Sequence, residues 1–471
     1  MENKEALKNI AEELKDLIAV FQANNKTLYL VGGTVRALFF PGPGEKTSIS
    51  DIDLATDATP EEIKDLVKNF ADAMWLTGEK FGTIGFSKNG RRFEVTTFRS
   101  ESYFPSSRKP MVSYSTKIEQ DLARRDFTFN AMAILLPQGN LIDPFGGLND
   151  LKAGVLRTPL TPEVSFSDDP LRMLRAARFI NYLNVTADDT IVQAARKLKE
   201  RLKIVSVERI RDEFSKIVLA PDPSKGLWFL IETGLFDQFM PEIPALKLEQ
   251  DPLHRHKDVL VHTIEVTRKT NQDLVLRLAA LLHDIGKPST KKITDQGVTF
   301  HGHDIVGAKL AKKRLKALKY PNNVIEDVFL LIKLHLRVHS YKNGWTDRAV
   351  RRYVRDADYL LDKLNALIRA DCTTANQIKA QELQSRMNEL EGRIAYLRQQ
   401  EELESIRPEI DGHRVMELLN LKPGKEVGLA MQWLMELRLD EGILGKQEVE
   451  KRLLKWWNSR NTSLGNDASN N

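Results

Sequence analysis

Leu28-Tyr29-Leu30-Val31-Gly32-Gly33-Thr34-Val35-Arg36, followed by Asp51-Ile52-Asp53-Leu54-Ala55-Thr56-Asp57, decides how the first part of the chain is read. Leu28–Val31 is a short apolar run, which suits a buried strand. The glycine pair comes directly after it, and a helix is predicted from Thr34 to about Phe40. Backbone amides of Gly32 and Gly33 at a helix start suit a phosphate group, and Arg36 adds a charge-assisted contact. The pattern is not a dinucleotide fingerprint, since the third glycine of GxGxxG is missing, and not a P-loop, since no Gly-Lys-Ser/Thr follows. Beyond the Pro41-Gly42-Pro43-Gly44 loop a second strand is predicted near Asp51–Ala55. Strand residues i and i+2 share a face, so Asp51 and Asp53 converge while Ile52 faces the core. Two such oxygen ligands suit Mg²⁺, which keeps its other positions for water and phosphate oxygens.

Strand, glycine pair, helix, strand and DxD is the order expected of a nucleotidyl-transfer palm. The neighbouring pattern agrees with a mixed α/β fold. A helix is predicted over about Thr59–Phe70, with Pro60 just inside its start. Gly82–Ser87 and Arg91–Phe98 read as strands around Asn89-Gly90, a hairpin dipeptide. Glu94 falls on the second of these and is a candidate third acid; an ordinary strand carboxylate is the alternative reading. Before the palm, Ile10, Leu14, Leu17, Ile18 and Phe21 recur at helical spacing. The Ser-, Pro- and basic-rich stretch 99–117 reads as a loop.

Composition narrows the classes. The chain has 471 residues and a formal net charge of +5, too mild to indicate nucleic acid without local clustering. Its single cysteine, Cys372, excludes an intramolecular disulfide and a multi-thiolate zinc site. No apolar run reaches membrane-helix length, and the charged N-terminus lacks a signal-peptide core, so the cytoplasm is the expected compartment. The 9 histidines begin only at His254. Chemistry before that point must use carboxylates, guanidiniums, lysines and hydroxyls. From about 162 onward strand signals nearly vanish and helices dominate. Ala380, Leu383, Met387, Leu390, Ile394 and Leu397 form a short coiled-coil-type seam, read as packing within one chain. The polar stretch 461–471 is expected to be disordered.

With these residues quoted, a resemblance can be stated. The segments Leu30–Arg36 and Asp51–Asp57 resemble class II CCA-adding enzymes and bacterial poly(A) polymerases of the nucleotidyltransferase superfamily. Asp121-Leu-Ala-Arg-Arg-Asp-Phe-Thr-Phe-Asn-Ala131 resembles that family's RRDF motif, and Asp168-Asp-Pro-Leu-Arg-Met-Leu-Arg-Ala-Ala-Arg-Phe179 its nucleotide-selecting helix. Glu208–Glu213 resembles the helix motif that follows. The order and spacings match over about 28–220. The resemblance implies that Arg124 or Arg125 contacts the nucleotide, with Arg125 preferred, ahead of a helix beginning near Asp126. On one continuous helix, Asp169, Arg172 and Arg175 would share an arc of about 120°. Asp169 would then accept from the exocyclic amine of adenine or cytosine and Arg172 would donate to the ring nitrogen, rejecting G and U. Arg178 drifts away and is carried as a phosphate or structural contact.

The fold class expected is therefore an α+β nucleotidyltransferase palm followed by an elongated all-α region. The segments are an N-terminal helix (1–26), the palm (27–155), a nucleotide-selecting and RNA-binding helical domain (156–245), an HD domain (246–375), a C-terminal helical region (376–460) and the tail (461–471). Within the HD segment, Leu278–Lys287 resembles the signature of HD-type phosphohydrolases, and His262, His283, Asp284 and Asp371 reproduce their H…HD…D ligand set. His301, His303 and His335 are possible extensions of it. A divalent transition metal is the implied occupant. Lys312, Lys313 and Arg314, and Arg351 and Arg352, are candidate RNA contacts; solvated helix faces are the alternative. The activity implied is addition of CCA, or part of it, to tRNA 3′ ends from CTP and ATP with Mg²⁺, without membrane or DNA partners. The competing readings are a poly(A) polymerase, a CC-only or A-only enzyme, an HD hydrolase and a silent RNA-binding protein.

Overall fold

The computed structural model describes residues 2–40, 51–102, 111–248, 258–294, 297–340, 345–372, 377–400 and 406–467. The Pro41–Gly44 loop lies outside them. Two helices, Glu2–Glu13 and Lys15–Ala23, stand where one was expected, and all the periodic residues Ile10, Leu14, Leu17, Ile18 and Phe21 are buried.

The palm strands are β1 (Leu28–Val31), β2 (Asp51–Thr56), β3 (Ala73–Trp75), β4 (Thr83–Lys88), β5 (Arg91–Thr97), β6 (Arg99–Ser102), β7 (Met111–Tyr114), β8 (Ala133–Leu136) and β9 (Asn140–Ile142). Seven form one mixed sheet in the order β3-β4-β5-β2-β1-β8-β9. Only β2 and β5 run parallel, in a register that sets Asp51 beside Arg92 and Asp53 beside Glu94. Ile52, Leu54, Phe93 and Val95 alternate into the core, which leaves the acids on the other face. Asn89 (φ 51°) and Gly90 (φ 76°) make the tight turn between β4 and β5 that their left-handed conformations allow. Helix Pro60–Val67 starts at a capping box in which Thr59 and Glu62 bond each other's backbone amides. The stretch 99–117 departs from the loop reading, because β6 and β7 pair antiparallel within it. Val112 and Tyr114 supply strand propensity there; residues 103–110 lie outside the described ones.

The helical region breaks where one continuous helix was expected to carry Asp169, Arg172 and Arg175. Helix Pro162–Asp168 ends at Asp169, whose backbone is extended (φ −131°, ψ 98°), and helix Arg172–Tyr182 begins after it. Pro170 is the cause, since proline disfavours the helical conformation of the residue before it. Asp169 therefore shares no helix face with Arg172 and Arg175. A helix near Asp126 is likewise replaced: helix Ile118–Ala123 precedes the arginine pair, and only a short 3₁₀ turn, Thr128–Asn130, follows. Gly226, on helix Ser224–Glu232, allows close approach to helix Arg172–Tyr182; a Cβ there would lie 2.4 Å from the Ala177 carbonyl oxygen.

Two compact units result: Met1–Leu281 with Lys313–Asn322, and Leu282–Lys312 with Asn323–Asn471. The palm and the segment 156–245 share the first. In the second, helix Gln377–Gln400 buries Met387, Leu390, Ile394 and Leu397. Arg369, on helix Leu361–Asp371, bonds its Gln384, Asn388 and Glu391, so the seam is packed within the chain. Trp456 stacks on Trp433 at 4.9 Å in a C-terminal cluster around Val415 and Leu453. Helix Lys446–Asp467 continues into the stretch expected to be disordered; extending an existing helix needs no new nucleus, so even a polar sequence follows it. Residues 468–471 lie outside the described ones. No described helix is long and apolar enough to cross a membrane.

Candidate active site

The turn from β1 into helix Gly32–Phe39 brings backbone, acid and guanidinium within contact. Gly32 has φ +63°, and a Cβ on it would fall 2.8 Å from Arg125 Nη1 and 3.5 Å from Asp53 Oδ2. Glycine is required there on both counts, conformation and space. The Thr34 hydroxyl accepts from the Asp53 amide at 3.1 Å, tying the helix to β2. Asp51 is exposed and Asp53 half-buried, with Glu94 exposed on the neighbouring strand. Burial raises the Asp53 carboxyl to about 6; Arg125 pulls it down, while Glu94 and Asp51 push it up further. Three carboxylates on one face of the sheet make a set of oxygen donors that a divalent cation fits.

A cavity of about 360 Å³ opens beside them, lined by Gly32, Gly33, Arg36, Asp53, Arg125, Asp126, Asn130, Arg175, Arg178 and Phe179. Its cationic lining is held in place by buried acids. Arg125 Nη2 donates to Asp121 Oδ2 at 3.0 Å, and Arg124 Nη2 to Oδ1 at 2.6 Å. Arg175 Nε donates to Asp126 Oδ2 at 2.8 Å. Asn130 donates to Asp126 Oδ1 at 2.9 Å and accepts from Arg36 at 3.1 Å. Arg178 pairs with Glu213 at 3.0 Å. The Phe179 ring lies under Arg36 at 5.5 Å, Arg175 at 5.6 Å and Arg178 at 4.5 Å, and its negative π-face eases their mutual repulsion. Four arginines converging on one cavity suit a polyphosphate.

Of the residues read from sequence, Gly32, Gly33, Arg36, Asp53, Arg125, Arg175 and Arg178 meet at this cavity. Arg178 joins them rather than drifting away. Asp51, Glu94, Arg124, Asp169 and Arg172 are outside its lining. Arg172 is buried; its Nη1 donates to Ser165 Oγ at 2.8 Å and its Nη2 to the Arg124 carbonyl. Asp169 accepts from the Leu171 amide at 3.2 Å and from Arg209 at 3.4 Å. The Arg172 amide donates to the Asp169 carbonyl at 3.0 Å, so a tight turn, not a helix face, holds the two together. Asp126, Asn130 and Phe179 were missed as site residues. Asp126 and Asn130 fall inside the RRDF-like stretch, so the signal was present in its spacing.

Because Arg125 lines the cavity and Arg124 does not, Arg125→Ala should cut kcat/KM for nucleotide by roughly 10²-fold, as expected for loss of a charge-assisted phosphate contact. Arg124→Ala should chiefly lower stability. The reverse ranking in steady-state kinetics would refute the assignment.

In the second unit, His283 and Asp284 are fully buried, and His283 Nε2 lies 3.3 Å from Asp284 Oδ2 and 3.5 Å from Asp371 Oδ1. His262 is buried on helix Val259–Lys269, in the first unit. His301 is exposed. Candidate metal-ligating groups are therefore present.

The basic clusters read as RNA contacts are mostly engaged within the chain. Arg351 is buried and donates to the Leu439 carbonyl at 3.2 Å, at the end of helix Lys425–Glu441, which withdraws it from any RNA. Arg352 pairs with Glu436, Lys312 with Glu326, and Arg314 with both oxygens of Glu242. Lys313 is exposed. Sequence periodicity cannot see these partners, none of which is on the same helix as the residue it meets.

Three family models match successive stretches of the chain. Residues 28–157 match the poly(A) polymerase head domain, 184–246 the probable RNA- and SrmB-binding site of polymerase A, and 258–368 the HD domain. An A-adding tRNA nucleotidyltransferase of Deinococcus radiodurans is 36% identical over 72% of this chain and 79% of its own length. A CCA-adding enzyme of Anoxybacillus flavithermus is 29% identical over 96% of this chain and 98% of its own. Among solved structures, the Bacillus stearothermophilus CCA-adding enzyme in complex with CTP has a TM-score of 0.67 at 23% identity, over 96% of this chain and 99% of that one. That likeness shows the fold.

Proposed function

Because this chain belongs to the family of tRNA nucleotidyltransferases, we propose that it adds the nucleotides of CCA to tRNA 3′ ends from CTP and ATP, without a nucleic-acid template. The observation that carries the reading is the convergence of Gly32, Gly33, Asp53, Arg125, Arg175 and Arg178 on one cavity. The terminal tRNA hydroxyl attacks the α-phosphorus, a new P–O bond forms, and pyrophosphate leaves with the electrons of the broken one. Arg125, Arg175 and Arg178 hold the triphosphate and balance the charge gathering on the leaving group. The Gly32 and Gly33 amides approach its oxygens with no side chain between. Mg²⁺, held by Asp51 and Asp53 with Glu94 as a candidate third acid, would supply charge to the phosphates and acidify the attacking hydroxyl.

Asp169 and Arg172 are proposed to read the base. The Asp169-Pro170-Leu171 turn presents the carboxylate, and Ser165 with the Arg124 carbonyl fixes the guanidinium plane. A base offering an amine beside a ring acceptor satisfies both groups; G and U leave them unpaired. Asp169→Ala should therefore relax discrimination against GTP and UTP by about 10²-fold or more. Unchanged discrimination in single-nucleotide incorporation assays would sink the base-reading role.

Addition of the terminal A alone is the second reading, favoured by the Deinococcus relative. Supplying tRNA that lacks CCA, and tRNA ending in CC, with labelled CTP and ATP separately and together decides between them. CTP incorporation into the first tRNA is expected; ATP incorporation into the second only would establish A addition.

A further inference from the structure

Asp53 stands in a row of residues that crosses the palm sheet. The strand registers pair Asp53 with Glu94, Glu94 with Gly85, and Gly85 with Trp75. Residues directly opposite one another on paired strands share a face. Trp75, on the edge strand β3, therefore belongs to the face that carries the acids. Its indole does not stand away from the sheet. A Cβ on Gly85 would fall 1.9 Å from Trp75 Nε1, 2.3 Å from Cε2 and 2.6 Å from Cδ1. The five-membered ring thus lies across β4 at Gly85, one strand from Glu94. Any side chain at position 85 would displace it. A glycine inside a strand weakens it and marks such a close approach. The core lies on the other face of the sheet, so core packing does not account for the indole. Asp51, Arg92 and Glu94 are exposed on the acid face, and Trp75 itself is half-buried. Among the described residues of β2 to β5 on this face, Trp75 alone is aromatic.

The place of the ring relative to the cavity gives it a use. The strand order runs β3-β4-β5-β2-β1 across this part of the sheet. The arginine-lined cavity begins at Gly32, just past β1, and so flanks Asp53 on one side. The indole reaches in from the other side, two strand spacings or about 10 Å from β2. In an in-line displacement the attacking and leaving oxygens lie on opposite sides of the phosphorus. With the pyrophosphate end among the arginines, the attacking hydroxyl comes from the side of β5 and β4. That hydroxyl ends an unpaired stretch of RNA, and the terminal base lies within one nucleotide of it. Proteins hold unpaired bases by stacking them on aromatic rings, with little regard to which base it is. Such tolerance suits a growing end, whose last base changes with each addition.

We propose that Trp75 is the stacking platform for the terminal base of the RNA acceptor and so positions its 3′ hydroxyl opposite the arginine cavity. The proposal rests on the nucleotide-transfer reading and adds to it a residue that serves the acceptor rather than the nucleotide.

Two substitutions separate stacking from packing. Trp75→Leu still covers Gly85 with apolar atoms but offers no π-face, whereas Trp75→Phe keeps one. With tRNA ending in CC and with ATP, Trp75→Leu should raise KM for the tRNA by roughly 10-fold or more, the loss of one base–aromatic stack. KM for ATP should stay nearly unchanged, and Trp75→Phe should recover most of the loss. Circular dichroism verifies that both variants are folded. Equal tRNA KM values in the Leu and Phe variants would overturn the platform, as would a rise in the ATP KM in place of the tRNA KM. Binding is read separately, without nucleotide, from the quenching of tryptophan emission by tRNA ending in CC. The wild type should quench more than Trp75→Phe, and equal quenching would also overturn the platform. A wild type that quenches through Trp75 yet incorporates neither CTP nor ATP would sink the nucleotide-transfer reading while upholding the contact of the ring with RNA.

Discussion

Asp53→Asn should abolish nucleotide incorporation, by roughly 10³-fold or more, and at the same time make the metal-free protein more stable. The first effect follows from removing a charge placed where phosphate chemistry develops charge. The second follows from the environment of the same group. Burial, with Glu94 and Asp51 nearby, raises its carboxyl to about 6. A carboxyl raised in the folded state holds its proton more tightly there than in the unfolded chain. Folding therefore loses stability as pH climbs from the unfolded value near 4 to about 6, and the loss is complete above that. At 1.36 kcal/mol per unit the ceiling is near 3 kcal/mol; the side chain is only half-buried, so solvent screening reduces this to about 1–2 kcal/mol. Thermal melts in chelator at pH 4 and pH 7.5 check it. The variant and wild type should melt together at pH 4 and separate at pH 7.5, with the variant higher. A variant less stable than wild type at pH 7.5 would contradict the charge assignment.

Asp126→Ala should have the opposite character, lowering the free energy of unfolding by about 3–5 kcal/mol, the range for breaking a buried charge pair from one side. Burial opposes ionisation of Asp126, but Arg175 and Asn130 outweigh it and hold the carboxyl well below the usual carboxylate range. Such a group stabilises the fold at neutral pH, and the contribution fades as pH falls below about 4. Its loss leaves Arg175, beside Arg36 and Arg178 on the Phe179 ring, without the carboxylate its guanidinium donates to. Urea unfolding at pH 7 measures the effect, and a change under about 1 kcal/mol would show that the network is not structural. Two neighbouring acids at one cavity are thus tuned in opposite directions, one poised to receive a cation and one already satisfied.

Much of the palm was legible because its signals are local. The apolar run and the i, i+2 acids marked β1 and β2, Asn89-Gly90 marked the β4–β5 hairpin, and Pro60 marked a helix start. The arginine positions at the cavity were legible only through motif spacing, because nothing local to Arg175 or Arg178 says that Phe179 and Asp126 will meet them. Where sequence reading erred, a competing local rule won. Pro170 breaks the helix that the 100° arithmetic assumed, and Asp169 reaches its place through a turn.

The sequence by itself determined the strand order signals, the acids on one strand face and the separation of a histidine-free half from a histidine-bearing one. These depend on side-chain periodicity and composition, which a linear string carries in full. Only the tertiary structure decided which charges are available. Arg351 and Arg125 look alike in sequence, yet one is buried on a helix end and the other lines the cavity. It likewise decided that His303 and His335 turn Nδ1 to the Phe300 and Ile332 carbonyls, which places the proton of each ring. Partners brought together by folding, not neighbours along the chain, fix what a charged or titratable group can do.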